Sequence, residues 1–272
     1  MVMTVRKPDM ASDISLAVTT KIVLVVEYEG TRYYGFQWQA DLPTIQGEIE
    51  AALEKLTGEK LRIAAASRTD TGVHARGQVV SFRTASSHSL QTFVNGFNYY
   101  LPKDVAVKVA YKVEDAFNVR SHATSREYNY SILNTATRSP LSASSAYRVG
   151  GRLDIGAMNR ASQALIGEHD LASFASDVGG ETKSTVRRVY RAEFSRKDEL
   201  VNFNIEASSF LPHQVGNTVG ALIRVGMSKM SVYEYSRIID AKKIGLAGPT
   251  SPACGLYLTQ VNYPQPFGEE EK

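Results

Sequence analysis

Ten residues, Ala66-Ser67-Arg68-Thr69-Asp70-Thr71-Gly72-Val73-His74-Ala75, set one carboxylate among small side chains, a glycine and two basic groups. Apolar runs flank them, Ile63 to Ala66 before and Val79, Val80 and Phe82 after. A loop of this make-up suits a single working acid. Glycine opens backbone conformations closed to other residues, and Arg68 and His74 could hold Asp70 ionised or meet an anionic substrate. A carboxylate so held can act as nucleophile or base. Asp70-Thr71-Gly72 can also be a plain turn whose Asp caps its own backbone. It matches as well the signature of proteases in which two carboxylates share a proton. A single copy, preceded by the polar Ser67-Arg68-Thr69 where those enzymes have an apolar strand, argues against the protease.

Other chemistry is thinly supplied. The five histidines, His74, His88, His122, His169 and His213, are scattered, with none at ligand spacing from another or from Cys254. Glycine-rich phosphate loops and the Gly-x-Ser-x-Gly elbow are absent, so neither a metal nor a nucleotide cofactor is expected. The lone cysteine excludes an internal disulfide framework and suits a reducing cytoplasm; Cys254 reads as a small buried residue. A chain of 272 residues with 43% hydrophobic content can bury one large core or two modest ones, and 22% charge is ordinary for a globular protein. The formal charge of +3, with acid concentrated in Glu269-Glu270-Glu271, permits nucleic-acid binding without indicating it. No apolar stretch reaches about 18 residues, and Met1 to Ser15 lacks an apolar core after Arg6-Lys7, so neither a membrane span nor a signal peptide is read.

The elements that must hold the Asp70 loop alternate strand and helix in two similar halves. Lys21 to Tyr28 reads as a β-branched strand. Thr44 then caps a helix with apolar Ile45, Ile49, Ala52, Leu53 and Leu56, ended by Gly58. Strands at Arg62 to Ala66 and Gly77 to Phe82 flank the loop; a helix at Ser89 to Tyr99 and a strand at Val105 to Val113 follow. The order β-α-β-β-α-β is a ferredoxin-like, RRM-like unit of the kind RNA-binding sheets use. In the second half come a strand at Ser125 to Leu133, a polar loop from Arg138 to Gly151 and a helix at Asp154 to Ile166. Strands at Ser184 to Phe194 and Leu200 to Ala207 lead to a helix opened by Pro212, a helix near Val232 to Ala241 and a strand at Leu256 to Val261. The expected class is α+β: two ferredoxin-like units, residues 20–118 and 119–264, joined into one extended antiparallel sheet, with 1–19 and 265–272 as flexible tails. Their junction would leave a central cleft, with Asp70 on one wall and Tyr128 and the Phe210 to Asn217 segment on the other.

Segments on both sides of the loop carry a resemblance. Glu27-Tyr28-Glu29-Gly30-Thr31, Tyr34-Gly35-Phe36-Gln37, Gln39 and Thr44-Ile45-Gln46 precede it. Arg126-Glu127-Tyr128-Asn129-Tyr130, Ser184-Thr185-Val186-Arg187 and Ala247-Gly248-Pro249-Thr250 through Gly255-Leu256-Tyr257-Leu258 follow it. In these ordered segments, from about Lys21 to Tyr263, the chain resembles the TruA family of tRNA pseudouridine synthases. The resemblance implies a cofactor-free, cytoplasmic isomerase acting on uridines 38, 39 and 40 of the tRNA anticodon stem-loop, as a homodimer with one tRNA reaching across both subunits. It implies Asp70 as the catalytic acid, Tyr128 stacked on the target uracil, Arg68 displacing the base from its stack, and Leu256 lining the base pocket. The reaction breaks the N-glycosidic bond, rotates the base and rejoins it through carbon 5. Attack on carbon 6 of the base, attack on carbon 1′ of the ribose, and elimination all remain open to the carboxylate.

One departure stands out. The family segment Phe-Leu-x-His-x-Val-Arg-Asn aligns with Phe210-Leu211-Pro212-His213-Gln214-Val215-Gly216-Asn217, so Gly216 stands where the resemblance implies an arginine beside the acid. Arg68 or His74 would then supply the cation, since Arg224 lies about two helical turns further on. The alternative is a tRNA-binding homologue of the same fold with weak or no turnover. A second electrostatic feature is the crowding of Lys183, Arg187, Arg188, Arg191, Arg196 and Lys197 against one acid, Glu193. Phosphate contacts supply most nonspecific RNA affinity, which makes Lys183, Arg187, Arg188 and Arg191 phosphate candidates. Alternation along a strand lets only some of them face the cleft.

Overall fold

Among the described residues, the strand and helix signals translate into one ten-stranded sheet with five α-helices. The structure, a computed structural model, describes residues 19–176, 184–265 and 267. Lys183 and nearly all of both tails lie outside them. The first half runs β1 (Thr20–Tyr28), α1 (Ile45–Thr57), β2 (Ala64–Ala65), β3 (His74–Thr84), α2 (Leu90–Tyr100) and β4 (Val105–Val113). The second runs β5 (Ser125–Leu133), β6 (Tyr147–Arg148), α3 (Ile155–Gln163), β7 (Gly167–Asp170), β8 (Val186–Lys197), β9 (Leu200–Ala207), α4 (Gln214–Gly226), α5 (Val232–Ala241) and β10 (Leu256–Asn262).

Local chemistry sets the helix ends. The Thr44 hydroxyl accepts the Gly47 N–H and Gly58 closes α1 in the left-handed conformation, as their residue types predict. Ser231 and Glu234 form a reciprocal capping box on α5. Pro212 sits one residue ahead of the α4 cap, not in the first turn where its ring would also have fitted. The short strands β6 and β7 were not legible in their polar segments, and β2 shrinks to two residues.

The strand order is β4-β1-β3-β10-β5-β9-β8-β7, with β2 also on β3 and β6 also on β5. Pairings are antiparallel except β3 with β10 and β5 with β6. A continuous apolar core runs through both halves, from Leu24, Ile49 and Phe97 to Tyr130, Phe203 and Leu222. No helix among the described residues is long and apolar enough to cross a membrane.

The halves meet where β3 runs beside β10. Only two pairs are in register, His74 with Tyr257 and Ala75 with Leu258, which is why β3 starts at His74 and not at Gly77. Just beyond, a β-carbon on Gly77 would lie 2.6 Å from the Thr259 carbonyl oxygen, so glycine alone permits this approach. Gly77→Ala is therefore expected to lose about 1–3 kcal/mol by forced displacement of backbone, a drop of roughly 2–10 °C in Tm for a chain of this size. Thermal unfolding followed by circular dichroism checks it; an unchanged Tm would show that the seam tolerates a side chain.

Candidate active site

The loop from Ala66 to Val73 is held by its own polar groups. Gln78 on β3 is fully buried; its Nε2 donates to the Ser67 carbonyl at 2.8 Å and to the Tyr28 hydroxyl at 3.4 Å. The Tyr28 hydroxyl pairs with Thr69 at 2.8 Å, and the Ser67 hydroxyl with that of Tyr128 at 3.2 Å. From the flank, Phe36 N–H donates to the Thr69 carbonyl at 2.9 Å and Gly72 N–H to the Tyr33 carbonyl at 3.2 Å. The aromatic segment ahead of α1 thus braces the loop. A buried polar network of this kind is rigid only because every partner is satisfied. Asp70 is left pointing outward, with its side chain 44% exposed.

Behind the loop lies Arg126, a buried guanidinium that sequence reasoning missed as a site element. Its Nη atoms donate to four carbonyls: Ala66 at 3.1 Å, Arg120 at 2.7 Å, Ala123 at 3.2 Å and Ser208 at 2.9 Å. It ties the Asp70 loop, the segment ahead of β5 and the segment after β9 to one another. Its alternation with Tyr128 and Tyr130 was the available signal.

Asp70 opens onto a cleft of about 1470 Å³ lined by both halves, larger than the roughly 300–1,000 Å³ of small-molecule sites. It is the sole carboxylate on the described walls, against Arg68, Arg120, Arg187 and His213. Arg68 is exposed on the wall with no hydrogen-bond or ion-pair partner among the described residues. Tyr128 is 6% exposed and packs edge-to-face on Phe210, with ring centroids 4.9 Å apart. Burial pushes its phenol up to about 12; the Ser67 bond opposes the shift, the Asp70 charge adds to it and Arg126 opposes it. Tyr128 is neutral at physiological pH and can donate or accept a proton-sharing bond. Leu256, at the start of β10, is buried and lines the same wall.

Two groups of predicted site residues stand elsewhere. His74 is 1% exposed and off the cleft wall. Its Nδ1 accepts the Gly30 N–H at 3.0 Å, so Nε2 carries the proton and donates to the Cys254 carbonyl at 3.2 Å. The ring stacks on Tyr257 at 4.6 Å. Burial lowers its pKa, with the Glu29 charge and the Cys254 carbonyl opposing. His74 is thus a neutral seam residue, and the expectation that it partners Asp70 is corrected. The residue in that place is His213, whose Nδ1 lies 3.4 Å from Asp70 Oδ2. The only signal for it was its position in the Phe210 to Asn217 segment.

The basic strand divides likewise. Arg187 lies on the cleft wall, its Nη1 bonded to the Ser184 and Val186 carbonyls and its Nε buried without a partner. Arg188 is ion-paired with Glu168 at 3.3 Å and Arg191 with Glu127 at 2.9 Å. Glu127 adjoins Tyr128 on β5, so it projects from the opposite face of the sheet. A register shift between Val189 and Arg191 turns Arg191 to that face. Arg188 and Arg191 are therefore corrected as cleft residues. Among the described residues, no three His, Cys, Asp or Glu side chains cluster to hold a metal ion.

Comparison with known proteins bears on this geometry. A family model described as tRNA pseudouridine synthase matches residues 24–120 and 161–264. A Neisseria meningitidis serogroup C protein named tRNA pseudouridine synthase A is 40% identical over 246 residues, 90% of this chain and 92% of its own. The protein of that name from Neisseria gonorrhoeae matches with the same identity and coverage. A third, from Legionella pneumophila, is 39% identical over 248 residues, 91% of this chain and 94% of its own.

The buried His74 makes stability depend on pH. Because its folded pKa is depressed, the unfolded chain takes up this proton first as pH falls, and stability drops below the ordinary imidazole value of about 6.5. The urea midpoint should fall between pH 7 and 5, and fall less steeply in His74→Asn, whose side chain does not titrate. Equal slopes for the two proteins would show that His74 contributes no such linkage.

Proposed function

The chain belongs to the tRNA pseudouridine synthase family and isomerises uridine in tRNA to pseudouridine, and we propose that Asp70 is the acid that carries the reaction. The observation behind this assignment is that Asp70 is the one carboxylate on the described walls of a cleft that also carries three arginines and a histidine. A polyanionic substrate is drawn to such walls, and only one group on them can form a bond to the base or ribose or take its proton. Tyr128 supports the uracil with its ring and keeps a neutral hydroxyl beside the acid. Leu256 and Phe210 supply apolar surface around the base, and Arg68, unpartnered and exposed, takes the space in the stack that the extruded base leaves.

Uridines 38, 39 and 40 of the anticodon stem-loop are the proposed targets and a homodimer the proposed assembly, on the resemblance of the ordered segments. We also read the two halves, residues 20–118 and 119–264, as two ferredoxin-like units. Supporting this, β4-β1-β3 with β2 at its side has a counterpart in β10-β5-β9-β8. Against the low-turnover alternative raised by Gly216 stands His213, beside the acid.

Asp70→Asn keeps size and hydrogen bonding but removes the charge, so tRNA binding should persist while tritium release from uridine-labelled tRNA vanishes. Substantial turnover would overturn the assignment. The same cleft geometry predicts which arginines meet phosphate. Arg187→Met should flatten the logarithmic salt dependence of tRNA binding by about 0.7–0.9, whereas Arg188→Met and Arg191→Met should leave the slope unchanged. Equal slopes for all three variants would remove Arg187 from the RNA surface.

A further inference from the structure

His213 is held in an unusual conformation. Its backbone lies at φ 57 and ψ 7, in the left-handed region that a β-carbon disfavours. The turn is locked on both sides: Gln214 accepts the Leu211 N–H on its side chain at 2.8 Å and returns its own N–H to the Leu211 carbonyl at 3.1 Å. Although His213 occupies the cap of α4, its ring makes no capping bond to the helix. The ring instead faces Asp70. Strain of this kind persists where the surrounding structure enforces it, and it clusters at functional sites.

No other cation is within 4.0 Å of the Asp70 carboxylate among the described residues. Arg68, Arg120 and Arg187 line the cleft but make no ion pair with it. A side chain at position 216 would have to displace Thr250, whose Cγ2 would lie 2.7 Å from the added β-carbon and whose hydroxyl is bonded to Asn217. We propose that His213 is the counter-charge of Asp70 in this enzyme, a positioning residue whose protonated imidazole orients the carboxylate and keeps it ionised once substrate fills the cleft. The proposal rests on the reading of Asp70 as the reacting acid.

Both groups are nearly half exposed in the open cleft, where such a pair contributes little. A bound nucleotide would exclude solvent from around the pair and strengthen its attraction. The pair should therefore act on kcat and leave KM nearly unchanged. An imidazole also differs from a guanidinium in that raising the pH can remove its charge. The other groups facing the pair are Arg68, Arg120, Arg187 and Tyr128; the arginines keep their protons, and the phenol lies near 12, so none titrates between pH 5.5 and 9.

Single-turnover pseudouridine formation on transcribed tRNA, measured from pH 5.5 to 9, tests this. The native enzyme should slow as the pH rises across this range. His213→Gln should be about ten-fold slower and flat with pH, with KM within about two-fold. His213→Lys should recover most of the rate and stay fast to pH 9. His213→Gly, which accepts the left-handed turn without strain, should lose rate without losing Tm, separating charge from folding. A glutamine variant as fast as the native enzyme with the same fall as the pH rises overturns the proposal, as does a folded lysine variant no faster than the glutamine one. Turnover by Asp70→Asn would instead overturn the reading of the acid itself.

Discussion

Parallel pairing of β3 with β10 is the constraint on which the site depends. Strands running the same way have their starts side by side, so the loop ahead of β3, carrying Asp70, lies against the turn ahead of β10. Gly72 and Ala253 meet there. From that turn Ser251 reaches the start of α4, its N–H bonded to the Gly216 carbonyl at 3.1 Å. The acid and the α4 cap are therefore brought together from opposite halves of the chain. Antiparallel strands would have put them at opposite ends. With two residue pairs in register, the seam takes its strength from side chains, above all the neutral His74 ring that stacks on Tyr257 and bonds to both Gly30 and Cys254. A charged imidazole would lose the Gly30 bond, since Nδ1 could no longer accept it.

The charges follow from the two faces of the sheet. On β5, Arg126, Tyr128 and Tyr130 share the face toward the core and cleft, while Glu127 projects from the other and neutralises Arg191. Arg188 is likewise matched by Glu168. On the cleft wall Arg68, Arg120 and Arg187 have no ion-pair partner among the described residues, and behind the Asp70 loop the buried Arg126 bonds only to carbonyls. The cleft wall is thus locally cationic although the net charge of the whole chain is modest.

Much of the fold was legible because its determinants are local. The β-branched run of β1 and the Thr44 and Gly58 caps and apolar spacing of α1 each act within a few residues, and the structure keeps them nearly to the residue. Asp70 stood out for the same reason, as one acid in a small-residue loop. The strand of basic residues was less tractable. Strict alternation would put Arg187 and Arg191 on one face, and the bulge after Val189 sends Arg191 to the other. No residue type there announces a bulge.

Sequence alone, then, indicated most of the elements, the candidate acid and the family resemblance, since each rests on neighbours along the chain or on ordered short segments. Which basic group stands beside the acid was decided only in three dimensions. His74 is four residues from Asp70 and turned away into the seam, while His213 is more than a hundred residues distant and within 3.4 Å. Sequence separation carries no information about direction: a strand turns successive side chains to opposite faces, and a parallel seam between distant segments sets which of them meet.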